Sequence, residues 1–145
     1  MFKKAFFAAL VAGIFGTLVC VAYTMVYKYS PLELDFSEQT SLSNLLAYNL
    51  GVTMIICFLF VGLMKLIKKE NIVSVIIGFL LSGGTIALIL FRLGQPDPVF
   101  TVTKAMEAGI VLDPNESVAY YGGFINPIIF IPVLSWFTFK PLFIK

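Results

Sequence analysis

LLAYNLGVTMIICFLFVGLM over residues 45–64 and IVSVIIGFLLSGGTIALILF over residues 72–91, joined by KLIKKEN at residues 65–71, decide the fold. Each run matches the roughly 20 residues that a helix needs to cross the hydrocarbon of a bilayer. Neither holds an Asp, Glu, Lys or Arg, and a charge at mid-membrane costs about 2.5–3.5 kcal/mol even on the lenient insertion scale. The connection is so short that the two helices must be antiparallel neighbours. Its lysines, Lys65, Lys68 and Lys69, mark one membrane surface.

Outward from this hairpin, Ala5–Tyr27 and about Gly123–Phe139 read as two further spans. The last is less regular, because Pro127 and Pro132 lie within it and Lys140 and Pro141 close it. The whole composition agrees: 59% of the 145 residues are hydrophobic and 12% charged, with mean hydropathy +0.97. An ordinary soluble domain needs a larger charged coat, and disorder, a coiled coil and a disulfide scaffold are excluded with it. Lys3 and Lys4 before an apolar run resemble the start of a signal peptide. The run is longer than the usual 7–15 residues, however, and no small-residue cleavage site precedes Lys28, so the first span reads as a retained anchor. The expectation is an all-α integral membrane protein, a single domain over residues 1–145, with four transmembrane helices in an up-down bundle.

Lysines set the expected orientation. Lys3 and Lys4, then Lys65, Lys68 and Lys69, then Lys140 and Lys145 fall on one side, while the segments 28–44 and 92–122 carry most of the acids. The positive-inside rule places both termini in the cytoplasm, and the localisation expected is a bacterial inner (plasma) membrane. Phe2, Phe6, Phe7, Tyr23, Tyr27, Tyr29, Tyr48, Tyr120, Tyr121 and Trp136 read as interfacial aromatics.

The first outer segment alternates Leu32, Leu34 and Phe36 with Glu33 and Asp35, as an extended stretch on the membrane surface would; Ser41 or Ser43 is positioned to cap the second span. The second outer segment is too long to be featureless, so short helices are expected in it. One would cover Val99–Ala108. Another follows from Asp113, Pro114 and Glu116, which stand as N-cap, first-turn proline and capping-box acid of a helix running toward Tyr121. Asp113, Asn115 and Ser117 imitate the opening of an EF-hand, but Val118 and Phe124 occupy the positions that need Gly and Glu. Asn115-Glu116-Ser117 is also a formal glycosylation sequon.

Small residues at four-residue spacing mark where membrane helices approach closely. Ala9, Gly13 and Thr17 form one such ridge, with Ala8, Ala12 and Gly16 beside it; Gly78, Ser82, Gly83 and Gly84 form another in the third span. Ser82–Thr85 also fits a broken helix whose freed carbonyls would bind an ion or substrate. Asn49 reads as a hydrogen bond to a neighbouring helix, Asn126 as the N-cap of the fourth helix, and Pro132 as a kink exposing the carbonyl of Ile128.

Function follows by elimination. The sequence has no histidine, so His-ligated metals and imidazole catalysis are excluded. A net charge of +2 gives no nucleic-acid surface. Cys20 and Cys57 fall in apolar runs as free thiols. No catalytic, cofactor or metal set is evident. The expectation is a non-catalytic subunit that packs against and stabilises a larger inner-membrane protein complex, for example a respiratory one. Its partners would be larger integral membrane subunits and lipid, with homo-oligomers as a further option. Asp113, Glu116, Tyr120, Tyr121 and Trp136 are the candidate partner contacts. The alternative is a small oligomeric channel or carrier for a neutral solute or ion.

Overall fold

The computed structural model describes residues 1–29, 40–93 and 114–144, with side chains described at 1–29, 40–91 and 122–144. Among the described residues the helices are α1 (Phe2–Lys28), α2 (Leu42–Ile67), α3 (Glu70–Leu93) and α4 (Pro114–Phe143). Each contains a segment long and apolar enough to cross a membrane, which makes the chain a multi-pass helical membrane protein. Val99–Ala108 and Asp113 lie outside the described residues, as does most of the first outer segment.

The buried face of α1 is made of Ala5, Ala8, Ala9, Ala12, Gly13, Gly16, Thr17 and Cys20, spaced as one stripe of a helix. Every member is small, so neighbouring backbones come close along its whole length. Its opposite face exposes Phe7, Ile14, Leu18, Met25 and Val26, side chains suited to hydrocarbon. α1 packs extensively against both α2 and α4; α3 touches α2 and, more sparsely, α4, but not α1, among the described residues.

Local chemistry explains the helix ends. Ser41 caps α2, its Oγ accepting from the Asn44 N–H at 3.4 Å, while Ser43 Oγ lies 3.2 Å from Ser41 Oγ. The helix therefore starts at Leu42, three residues before the apolar run. At the far end α2 and α3 grow into the lysine-rich connection until only Lys68 and Lys69 separate them. Lys68 has φ 58° and closes α2 in the left-handed conformation, with its N–H donating to the Met64 carbonyl at 3.2 Å. Glu70 opens α3, where the positive end of the helix dipole favours an acid.

The fourth helix corrects the sequence reading. A short helix from Asp113 toward Tyr121, followed by a separate span with Asn126 as its cap, was expected; instead one helix runs unbroken from Pro114 through Asn126 and Pro127 to Phe143. A proline inside a helix cannot donate to the carbonyl four residues back. For Pro127 that carbonyl belongs to Gly123, and Tyr23 Oη of α1 donates to it at 3.1 Å. Near Pro132, Tyr48 Oη of α2 donates to the carbonyl of Ile129 at 3.1 Å, one residue beyond the Ile128 carbonyl singled out from the sequence. A partner on α1 thus supplies the hydrogen bond lost at Pro127, and one on α2 bonds a carbonyl beside the gap at Pro132.

Two apolar cores result. One joins Ala5, Ala8 and Ala9 to Ile56, Phe60, Val73, Ile77 and Trp136; the other gathers Cys20, Leu45, Phe124, Ile128 and Ile131. Because Lys68 holds a conformation that disfavours a Cβ, Lys68→Gly should stabilise the protein by about 0.5–1 kcal/mol and Lys68→Val should destabilise it. Thermal unfolding of the two variants in one detergent would show opposite shifts from the parent.

Candidate functional site

Between the two cores lies a layer of polar and very small residues. It takes Gly13, Gly16 and Thr17 from α1, Asn49 and Thr53 from α2 and Ser135 from α4, all buried. These positions fall near the middle of their spans, where water is scarce and each polar group must find a partner in the protein. Thr17 Oγ1 donates back to the Gly13 carbonyl at 2.8 Å, and Thr53 Oγ1 lies within reach of the carbonyls of Asn49 at 2.9 Å and Leu50 at 3.2 Å. The hydroxyls are therefore satisfied within their own helices.

Asn49 is the centre of the layer and is fully buried. Its Nδ2 donates to the Leu45 carbonyl at 2.8 Å and points to Cys20 Sγ at 3.5 Å, linking α2 to α1. Its Oδ1 is buried without a hydrogen-bond partner among the described residues. That oxygen rests against Gly16: a Cβ built there would lie 2.7 Å from Asn49 Oδ1 and 3.2 Å from Ser135 Oγ. A Cβ on Gly13 would lie 2.6 Å from Leu50 Cδ2, 2.9 Å from Thr53 Oγ1 and 3.1 Å from the Leu50 Cα. Gly13 lets the α1 and α2 backbones meet, and Gly16 makes room for the amide where α1, α2 and α4 come together.

A second cluster sits where α3 begins and α4 ends. Lys140 is only 8% exposed. Its Nζ lies 2.9 Å from Glu70 Oε1, donates to Ser74 Oγ and stands 5.0 Å from the Phe60 ring centroid. Glu70 and Ser74 share one face of α3 because they are four residues apart. The ammonium is thus held by a carboxylate, a hydroxyl and an aromatic face, and it fastens α3 to α4 where the two otherwise touch little. The sequence reading took Lys140 only as the charged end of the fourth span.

The predicted site residues are distributed unevenly. Ala9, Gly13 and Thr17 lie in the buried face of α1. Gly78 faces Phe137, whose Cζ would lie 3.7 Å from an added Cβ. Ser82, Gly83 and Gly84 are exposed, and an added Cβ on either glycine would meet open space. α3 is helical throughout 82–85, which corrects the broken-helix reading of that segment. Glu116, Tyr120 and Tyr121 belong to the backbone of α4, with side chains outside the description. Trp136 is also corrected: expected at the interface as a partner contact, it is fully buried and packs edge-to-face on Phe60, with ring centroids 6.0 Å apart. The inward face of α4 directs it into the core, where its Nε1 has no partner.

Amide, hydroxyl and thiol groups packed in this way can lock helices together by hydrogen bonding. Among the described residues, no three Cys, Asp or Glu side chains gather as a metal site would need. In comparisons with known proteins the chain matches no family model, no curated protein and no solved structure.

Packing around the two kinds of glycine should be separable by substitution. Gly16→Ala should lower stability by about 1–3 kcal/mol through overpacking, whereas Gly83→Ala should be neutral or gain up to about 1 kcal/mol from helix propensity. Unfolding midpoints in detergent would test the contrast, which fails if both variants behave alike. Glu70→Gln should cost about 1 kcal/mol, a modest figure because the Glu70 side chain is 35% exposed. The same assay should show a smaller loss for Ser74→Ala, which removes a neutral partner of the ammonium.

Proposed function

We propose that this protein is a non-catalytic subunit of a bacterial inner-membrane complex, packing against and stabilising larger integral membrane subunits. In this reading the four helices form an up-down bundle with both termini in the cytoplasm, on the side of the lysine-rich α2–α3 link. The observation that carries the proposal is the outer face of α3. Phe79 is 81% exposed there, Val75 and Phe91 are strongly exposed, and Gly83 and Gly84 have no neighbour above them among the described residues. In α1, glycines serve close helix contact; in α3, Gly78 faces Phe137 but Gly83 and Gly84 face outward. Glycine gives lipid little to pack against and weakens a helix, so its place on an open face favours a helix of another subunit.

A second reading rests on Ser82, Gly83 and Gly84. Ser82, Gly83 and Gly84 are exposed together in mid-helix and would line a lumen if several copies assembled around α3, forming a channel or carrier for a neutral solute or ion. Extraction in mild detergent followed by mass spectrometry distinguishes the two. The subunit reading expects larger membrane proteins in fixed ratio and their loss with Gly83→Leu. A homo-oligomer alone, with solute-specific flux in liposomes abolished by Gly83→Leu, would replace it with the channel reading.

A further inference from the structure

Five lysines at one end of the molecule have no acid to answer them among the described residues. Lys3 and Lys4 stand in the first turn of α1, Lys65 in the last turn of α2, and Lys68 and Lys69 form the link to α3. Packing brings these segments to the same end. The Phe2 and Phe58 ring centroids are 6.3 Å apart, and Ala5, Ala8 and Ala9 share a core with Phe60, Val73 and Ile77. All five side chains are exposed. Glu70, the acid beside them, is already engaged by Lys140.

Internal stability does not account for this arrangement. In the first turn of α1 the helix dipole disfavours cations, and no acid is present there to offset Lys3 and Lys4. Lys68 occupies a left-handed position for which glycine is the natural choice. Five like charges at one end repel each other, and an external counter-charge relieves that repulsion. The ends of membrane-spanning helices lie at the depth of lipid headgroups, so the anion already present there is the lipid phosphate.

We infer that Lys3, Lys4, Lys65, Lys68 and Lys69 form a binding surface for anionic phospholipid headgroups in the leaflet they face. Phe2 and Phe7, exposed at the same end, supply apolar contact for the adjoining acyl chains. The inference requires only that the helices cross a bilayer, and it stands whether or not the protein is a subunit of a larger complex.

The full chain, purified in mild detergent and placed in nanodiscs of equimolar phosphatidylglycerol and phosphatidylcholine, provides the test. After re-extraction, the lipids that remain bound are counted by mass spectrometry. Phosphatidylglycerol should be enriched several-fold, an enrichment lost in the variant with all five lysines changed to glutamine and kept with all five changed to arginine. Circular dichroism and size-exclusion profiles establish that each variant folds. Should the fivefold glutamine variant fail, K68Q/K69Q alters only the exposed link and should lower the enrichment about twofold. Equal retention of the two lipids, or enrichment unchanged by the glutamine substitutions, overturns the inference. So does displacement of the lipid by inorganic phosphate beyond that caused by chloride at matched ionic strength, because the surface would then be a site for the free anion.

Discussion

Hydrocarbon offers helices no hydrophobic reason to associate, since lipid tails are as apolar as the side chains they would replace. What remains is close contact, and α1 is built for it. Its buried face carries nothing larger than threonine or cysteine from Ala5 to Cys20. This lets α2 and α4 lean on the same helix. At Gly13 the approach is close enough that any side chain would strike the Leu50 side chain and the Thr53 hydroxyl and press on the Leu50 backbone. The architecture depends on that approach, because among the described residues α3 does not touch α1 and is held through the other two helices.

Close backbones also bring polar groups together, and the mid-depth layer is the result. Asn49 reaches a carbonyl of its own helix and a thiol of α1, yet its oxygen faces Gly16, in the space that a Cβ there would need. A contact of that kind is weaker than an N–H donor would provide. The amide consequently fixes the register of α1 on α2 more than it adds to stability. The proline-interrupted stretch of α4 is treated similarly: Tyr23 and Tyr48 approach it from two different helices and tie its carbonyls to both.

Much of this was legible in the sequence, within limits that have physical causes. Hydropathy and the absence of interior charges in residues 45–64 and 72–91 identify spans because bilayer thickness sets their length. The ridge of Ala9, Gly13 and Thr17 is visible because its spacing is that of a helix face. The glycines of α3 have the same appearance, but whether a glycine meets a neighbour depends on tertiary placement, and Gly83 and Gly84 meet none among the described residues. The continuity of α4 through Asn126-Pro127 was hidden because the group that compensates for the proline is Tyr23, distant in sequence. Trp136 was misplaced by a rule about averages: aromatics favour the interface, but this ring lies on the face of α4 that turns toward Phe60. Glu70 and Ser74 signal a shared face by spacing, yet nothing local identifies Lys140 as their partner.

The fastening of α3 has a mechanical consequence. Its early residues Val73 and Ile77 are fully packed, whereas Ile86, Leu88, Leu90 and Phe91 toward its far end stand mostly clear of the other helices. With the two-residue link and the Lys140–Glu70 bridge at one end, the helix is arranged as a lever on a pivot. Over a rod about 36 Å long, a tilt of about 5° carries the distal tip about 3 Å sideways. A small rearrangement at one membrane surface would therefore be delivered, enlarged, to the opposite one.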